Sequence, residues 1–96
     1  MSELKIIATI VAKEEFASDV RTSLNAVVDG TRTEEGNVSY VLHQDVKNPL
    51  KYVIIEVWKS LDAIDAHNAT AHFNEFVKSI DGKMESLDVS IIKEIY

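Results

Sequence analysis

The chain has 96 residues, no cysteine and one proline, with 46% hydrophobic and 27% charged residues spread along its length. This composition describes one globular domain, 1–96, without a linker, and it excludes disulfides, thiolate nucleophiles and cysteine metal sites. Sixteen acidic residues against ten basic ones give a net charge of −6, which repels phosphate backbones and anionic lipid, so neither nucleic acid nor a membrane is expected as a partner.

The first element in chain order is LKIIATIVA, residues 4–12, short, β-branched and bounded by charge, which predicts a strand apolar on both faces: Leu4, Ile6, Ala8 and Ile10 on one, Ile7 and Val11 on the other. From Glu14 the spacing changes to a helical stripe of Phe16, Val20, Leu24 and Val27/Val28, running towards Glu34 and stopping at Gly36, with Gly30 weakening its last turns. NVSYVLHQDV and LKYVIIEVWK follow as two strands joined by a turn at Lys47, Asn48 and Pro49. Ser60 is placed to cap the helix LDAIDAH, with Asp62 and Asp65 near its positive end. Thr70 is placed to cap a further helix with Phe73, Phe76, Val77 and Ile80 on its apolar face, ended by Gly82. SLDVSIIKEIY closes the chain as an alternating strand in which Val89, Ile91, Lys93 and Ile95 oppose Ser90, Ile92, Glu94 and Tyr96.

The order is βαββαβ with a broken second helix, the ferredoxin-like α+β arrangement of helices on one face of an antiparallel sheet. Strands apolar on both faces imply cover for the other side of the sheet, most simply a second copy of the chain, so a homodimer is expected. A domain this small gains from such a partner. No apolar run nears the roughly 18 residues that a membrane span needs. The opening MSELKIIATIVAKEE lacks a basic region followed by a cleavable small-residue site, so a cytoplasmic location is expected.

Polar chemistry concentrates in EVWKSLDAIDAHNATAHFNEF, residues 56–76. On an unbroken helix His67 and His72 would diverge by roughly 140°, whereas a break at Thr70 lets both rings turn towards one cavity walled by Phe73 and Phe76. The alternative is that one histidine braces the junction while the other lies at the surface. Tyr52, Ile54, Glu56 and Trp58 share one strand face opposite Val53, Ile55 and Val57. Glu56 within an apolar strand must accept hydrogen bonds or rise in pKa, and a structural role anchoring donors near the dimer interface is expected for it. Trp58 suits a core position, and the Tyr40 hydroxyl either reaches a substrate oxygen or bonds backbone. His43, opposite in phase to Tyr40, is expected at the surface or an interface. No metal site is expected, because the histidines lack i, i+4 spacing and an obvious carboxylate to complete a ligand set. The scattered glycines give no basis for a nucleotide or flavin cradle.

TRTEEGNVSY (Glu35, Gly36, Tyr40), EVW (Glu56, Trp58), AIDAH (Ala63, His67) and HF (His72, Phe73), in this order and spacing over nearly the whole chain, resemble the antibiotic biosynthesis monooxygenase family, in its branch of small quinol monooxygenases. The resemblance implies a dimeric α+β barrel with a pocket between sheet and helices in each subunit. The scaffold carries quinol oxidation, oxygenation of polyketide phenols, haem degradation and isomerisation of small signalling molecules. Haem-degrading relatives place a ligating histidine where this chain has Val77, which argues against haem.

The expected function is therefore cofactor-independent oxidation of a small electron-rich aromatic, such as a hydroquinone, by O2. His67 or His72 would be the general base and the other would orient a substrate oxygen, while Tyr40, Trp58, Phe73 and Phe76 bind the ring. The alternatives are an isomerase or tautomerase of a small sugar-like signal using the same histidines, and a binding module without catalysis.

Overall fold

A computed structural model describes residues 3–96. Strand β1 (Leu4–Ala12) is followed by a short 3-10 turn (Glu14–Phe16) and helix α1 (Ala17–Thr31). Strands β2 (Asn37–Gln44) and β3 (Lys51–Trp58), helices α2 (Leu61–Asn68) and α3 (Ala71–Ile80), and strand β4 (Met84–Ile92) complete the chain. The sheet is antiparallel throughout in the order β2-β3-β1-β4, which is the ferredoxin-like topology expected from the sequence. No helix among the described residues is long and apolar enough to cross a membrane.

The register puts one face of the sheet against the helices. Across β1, Ile6 lies between Glu56 and Ile91, Ala8 between Ile54 and Val89, and Ile10 between Tyr52 and Leu87. Ile6, Ala8, Ile10 and Ala12 are buried there, as are Tyr52, Ile54, Glu56 and Trp58 of β3, so the period of two read from the sequence holds on both strands. Helix α1 meets them with Val20, Leu24, Val27, Val28 and Thr31, one stripe at helical spacing. The opposite face carries Ile7, Val11, Val41, Val53, Ile55 and Val57, all incompletely buried, with Ile55 at 39% and Val41 at 40% exposure. His43 is exposed on that face.

Element ends depart from expectation for local reasons. Phe16 closes the 3-10 turn before α1, yet still packs on the core. The helix stops at Thr31, short of Glu34, because the Thr33 hydroxyl donates to the Gly30 carbonyl at 2.7 Å and Thr33 and Glu34 N–H groups close tight turns on Gly30 and Thr31. Strand β2 ends two residues before the expected Val46, since Asp45 Oδ1 accepts from the Lys47 and Asn48 N–H groups and fixes the loop. Strand β4 begins earlier, at Met84, and ends at Ile92, which pairs with Lys5 near the start of β1. Lys93 to Tyr96 therefore have no ladder partner and are not strand.

Candidate functional site

Two residues, Ala69 and Thr70, separate α2 from α3. Ser60 and Thr70 cap the two helices through their side chains, accepting from Ala63 N–H and Phe73 N–H. The Thr70 hydroxyl also donates to the His67 carbonyl at 2.8 Å, which stops α2 at its own end. The expected break is thus present and both histidines turn inward, with ring centroids 6.2 Å apart.

They converge on Glu34. His67 Nδ1 lies 2.7 Å from Glu34 Oε2, and His72 Nε2 lies 2.6 Å from the same oxygen. A carboxylate accepting from both rings requires hydrogen on both of these nitrogens, an arrangement in which a neutral His67 has its lone pair on Nε2. Glu34 comes from the turn after α1, whose position is fixed by Arg32 donating to the Tyr40 carbonyl at 3.0 Å and by Gly36 packed under α2. A Cβ on Gly36 would lie 2.5 Å from Ala63 Cβ, so the close approach of turn and helix needs glycine. Gly30 has a similar reason: a Cβ there would lie 2.6 Å from His72 Cγ. The residue that weakens α1 makes room for the imidazole.

The cavity beside this cluster has a volume of about 260 Å3 and lies between the sheet and α3. Ile6, Ala8, Ile10 and Ile54 form its floor, Phe73, Phe76, Val77 and Ile80 one wall, and Met84, Leu87 and Val89 the side towards β4. Tyr40, Glu56, His67, Asn68 and Asp81 supply the polar groups. His67 is 3% exposed and packs between Trp58 and Phe73, at centroid distances of 4.6 and 4.7 Å.

Three sequence expectations change in this setting. His72 does not line the cavity; it borders a shallow outer groove with Thr22, Ser23 and Glu75, so the two histidines do not share one cavity. Trp58 is fully buried and lies behind the lining, donating its Nε1–H to Glu56 Oε1 at 2.8 Å. Glu56 faces the helices and the cavity, away from the sheet face expected to meet a second copy. Its carboxyl is pushed up to about 7, chiefly by burial and further by the charge of Glu34, against the opposing Trp58 bond. Burial, and then the neighbouring Glu56, raise the Tyr40 hydroxyl above its ordinary range; the nearby Thr31 hydroxyl opposes this, though no well-formed hydrogen bond joins the Thr31 oxygen to a partner.

Glu34 is the residue that the sequence did not single out. Both Glu34 and Glu35 lie in the stretch TRTEEGNVSY, but Glu35, the one the resemblance rests on, is exposed while Glu34 points inward with only 12% of its side chain accessible. With His67 and His72 it brings one carboxylate oxygen and two ring nitrogens within 4.8 Å, supplying the carboxylate that the sequence lacked for a ligand set.

A four-stranded sheet backed by three helices, enclosing an apolar cavity with an acid and an imidazole at its rim, defines a ferredoxin-like domain built around a small ligand site. The family profile described as antibiotic biosynthesis monooxygenase matches residues 4–79, and the chain belongs to that family. YcnE of Bacillus subtilis, which carries a provisional monooxygenase name, is 40% identical over 65 residues, covering 68% of this chain and 64% of the relative. An uncharacterized protein of Synechocystis, sll1783, is 33% identical over 82 residues, or 84% of this chain and 53% of the relative. The chain thus spans between about half and two thirds of these relatives' lengths. Among solved structures, PA3566 from Pseudomonas aeruginosa superposes with a TM-score of 0.94 at 28% identity, covering 100% of this chain and 97% of the other. A crystal structure described as an antibiotic biosynthesis monooxygenase has a TM-score of 0.92 at 32% identity, covering 97% and 99%.

Proposed function

We propose that the protein is a cofactor-independent monooxygenase that oxidises a small electron-rich aromatic of the hydroquinone class with O2. The observation that carries this reading is an apolar cavity of about 260 Å3 whose polar groups include a buried histidine already oriented by a carboxylate. An apolar cavity of about 150 Å3 accommodates benzene, so this one has space for a single ring with substituents. Its mostly apolar walls suit an aromatic better than the sugar-like signal of an isomerase. Membership of the family and the monooxygenase name of YcnE support the oxygenase class.

In this mechanism His67 Nε2 takes a hydroxyl proton from the bound quinol, and the electron-rich anion gives electrons to O2. One oxygen atom joins the ring and the other leaves as water, so quinol and O2 yield hydroxyquinone and water. Glu34 holds the His67 tautomer and stabilises the imidazolium formed. Glu56, with a pKa of about 7, is partly protonated at neutral pH and supplies a proton on the oxygen side of the reaction. Phe73, Phe76 and Tyr40 confine the ring, Trp58 holds Glu56, and His72 acts through Glu34 without touching substrate. The partly exposed apolar face around Ile55 and Val41 fits the homodimer whose sheets face each other. Oxygen uptake across a panel of hydroquinones tests the activity, with equimolar O2 and quinol consumed and hydroxyquinone formed. No uptake with any quinol, or accumulation of hydrogen peroxide with plain quinone, would refute it.

A further inference from the structure

We infer that Glu34, His67 and His72 form a site for one divalent transition ion of the zinc type, entered from the outer groove. The inference rests on direction as well as proximity. Two imidazoles, held in different helices, aim ring nitrogens at one point, Glu34 Oε2, from 2.7 and 2.6 Å. An ion near that point would need each nitrogen to close by roughly half an ångström to reach the ~2.0–2.1 Å of a zinc–imidazole bond, while Glu34 swings back to bind from a third corner. Glu34 lies in a turn and not in a helix, which leaves room for that movement.

The two rings are fixed beforehand. His67 is packed between Trp58 and Phe73, and His72 lies against Gly30, where the missing Cβ admits it. Preformed ligands of this kind lose little freedom on binding. Access is from the His72 side, where 29% of that side chain is exposed, and water can complete the ligand set. Two nitrogens and one carboxylate favour zinc, cobalt, nickel or copper over magnesium and calcium, which prefer all-oxygen sets. In the free site the two N–H groups bond Oε2; with the ion bound, the same hydrogens sit on the other ring nitrogens, so no net proton need be released from neutral rings. His67 would then present N–H to the cavity in place of a lone pair. That consequence alone rests on the function proposed above: the ion should inhibit turnover.

Binding is measured separately from activity. The chelator-treated full chain is titrated with Co2+, following its visible ligand-field absorption, and with Zn2+ by calorimetry. One ion per chain is expected, with affinity lowered roughly tenfold or more in both His72→Phe, which keeps a ring against Gly30, and Glu34→Gln, which keeps the side-chain shape. His43→Ala, on the exposed opposite face, should bind as the parent does. Absence of saturable binding, or unchanged affinity in whichever of the first two variants retains the parental circular dichroism, overturns the site. Loss of binding in His43→Ala would place the ion elsewhere and overturn it equally.

Discussion

The two ends of the cavity are built differently. Towards β2 and β3, Trp58, Glu56, His67 and Glu34 interlock through a 2.8 Å bond, a 2.7 Å bond and a tilted contact between the Trp58 and His67 rings, all supplied by one chain. Towards β4, Leu87, Val89 and Ile91 share the helix-facing side of the sheet but are 51–53% exposed, because β4 is the edge strand and the helices do not cover it. The buried acid and imidazole therefore sit at the end the chain completes by itself. The β4 end keeps exposed apolar surface on the helix-facing side of the sheet, apart from the opposite face around Ile55 and Val41.

The largest expected effect belongs to the completed end. His67→Ala should lower quinol turnover by about 100-fold or more with the fold retained by circular dichroism, while Val89→Ser lowers it far less. Equal losses in steady-state kinetics would break the division between the two ends. Glu56 offers a test by pH. Its folded pKa of about 7 lies above an ordinary 4.5, so the folded state favours the protonated form; stability is greatest below the ordinary value and falls as pH rises towards 7. Denaturant unfolding should show a loss of up to about 3 kcal/mol over that range, and Glu56→Gln, which cannot ionise, should remove this part of the slope and be the more stable protein at pH 8. A parental slope in the variant would mean that another group is responsible.

Gly30→Ala reverses a familiar sign. In an exposed helix the change gains about 1 kcal/mol, but here the new Cβ would stand 2.6 Å from His72 Cγ, so a loss of about 1–3 kcal/mol is expected from overpacking. Thermal unfolding decides, and a gain would show that His72 does not need its present place. The smallest effect lies at the open edge. Val89→Ala should cost under about 1 kcal/mol in a monomer, since the side chain is already half exposed. A cost above about 2 kcal/mol, with light scattering reporting a dimer in the parent, would show that an assembly buries β4.

Much of this architecture was legible because it follows local periodicity. The alternation of Tyr52, Ile54, Glu56 and Trp58 identified one buried strand face, and Ser60 and Thr70 marked the two helix starts that the structure contains. Capping is a contact between near neighbours, and strand alternation is a property of the backbone, so both can be read in one dimension. Strand ends were less legible, since Lys93 to Tyr96 continue an apolar alternation but the ladder with β1 ends at the Lys5–Ile92 pair.

For the site, the sequence by itself determined the chemical kinds present: two imidazoles flanking a helix break, aromatics beside them, and an acid on an otherwise apolar strand face. Only the tertiary structure decided which of them meet. Glu34 is one of sixteen acidic residues and is separated from its partners by 33 and 38 positions, distances over which no helical or strand period operates. The turn that carries it is placed by Gly36 against Ala63 and by Arg32 on the Tyr40 carbonyl. His72 likewise meets Glu34 and borders the outer groove, not the cavity, because Gly30, on a different helix, leaves it space. Local pattern fixes which way a side chain leaves its own element; which group it meets depends on how separate elements pack, and that packing sets both the direction of the His67 lone pair and the pKa of Glu56.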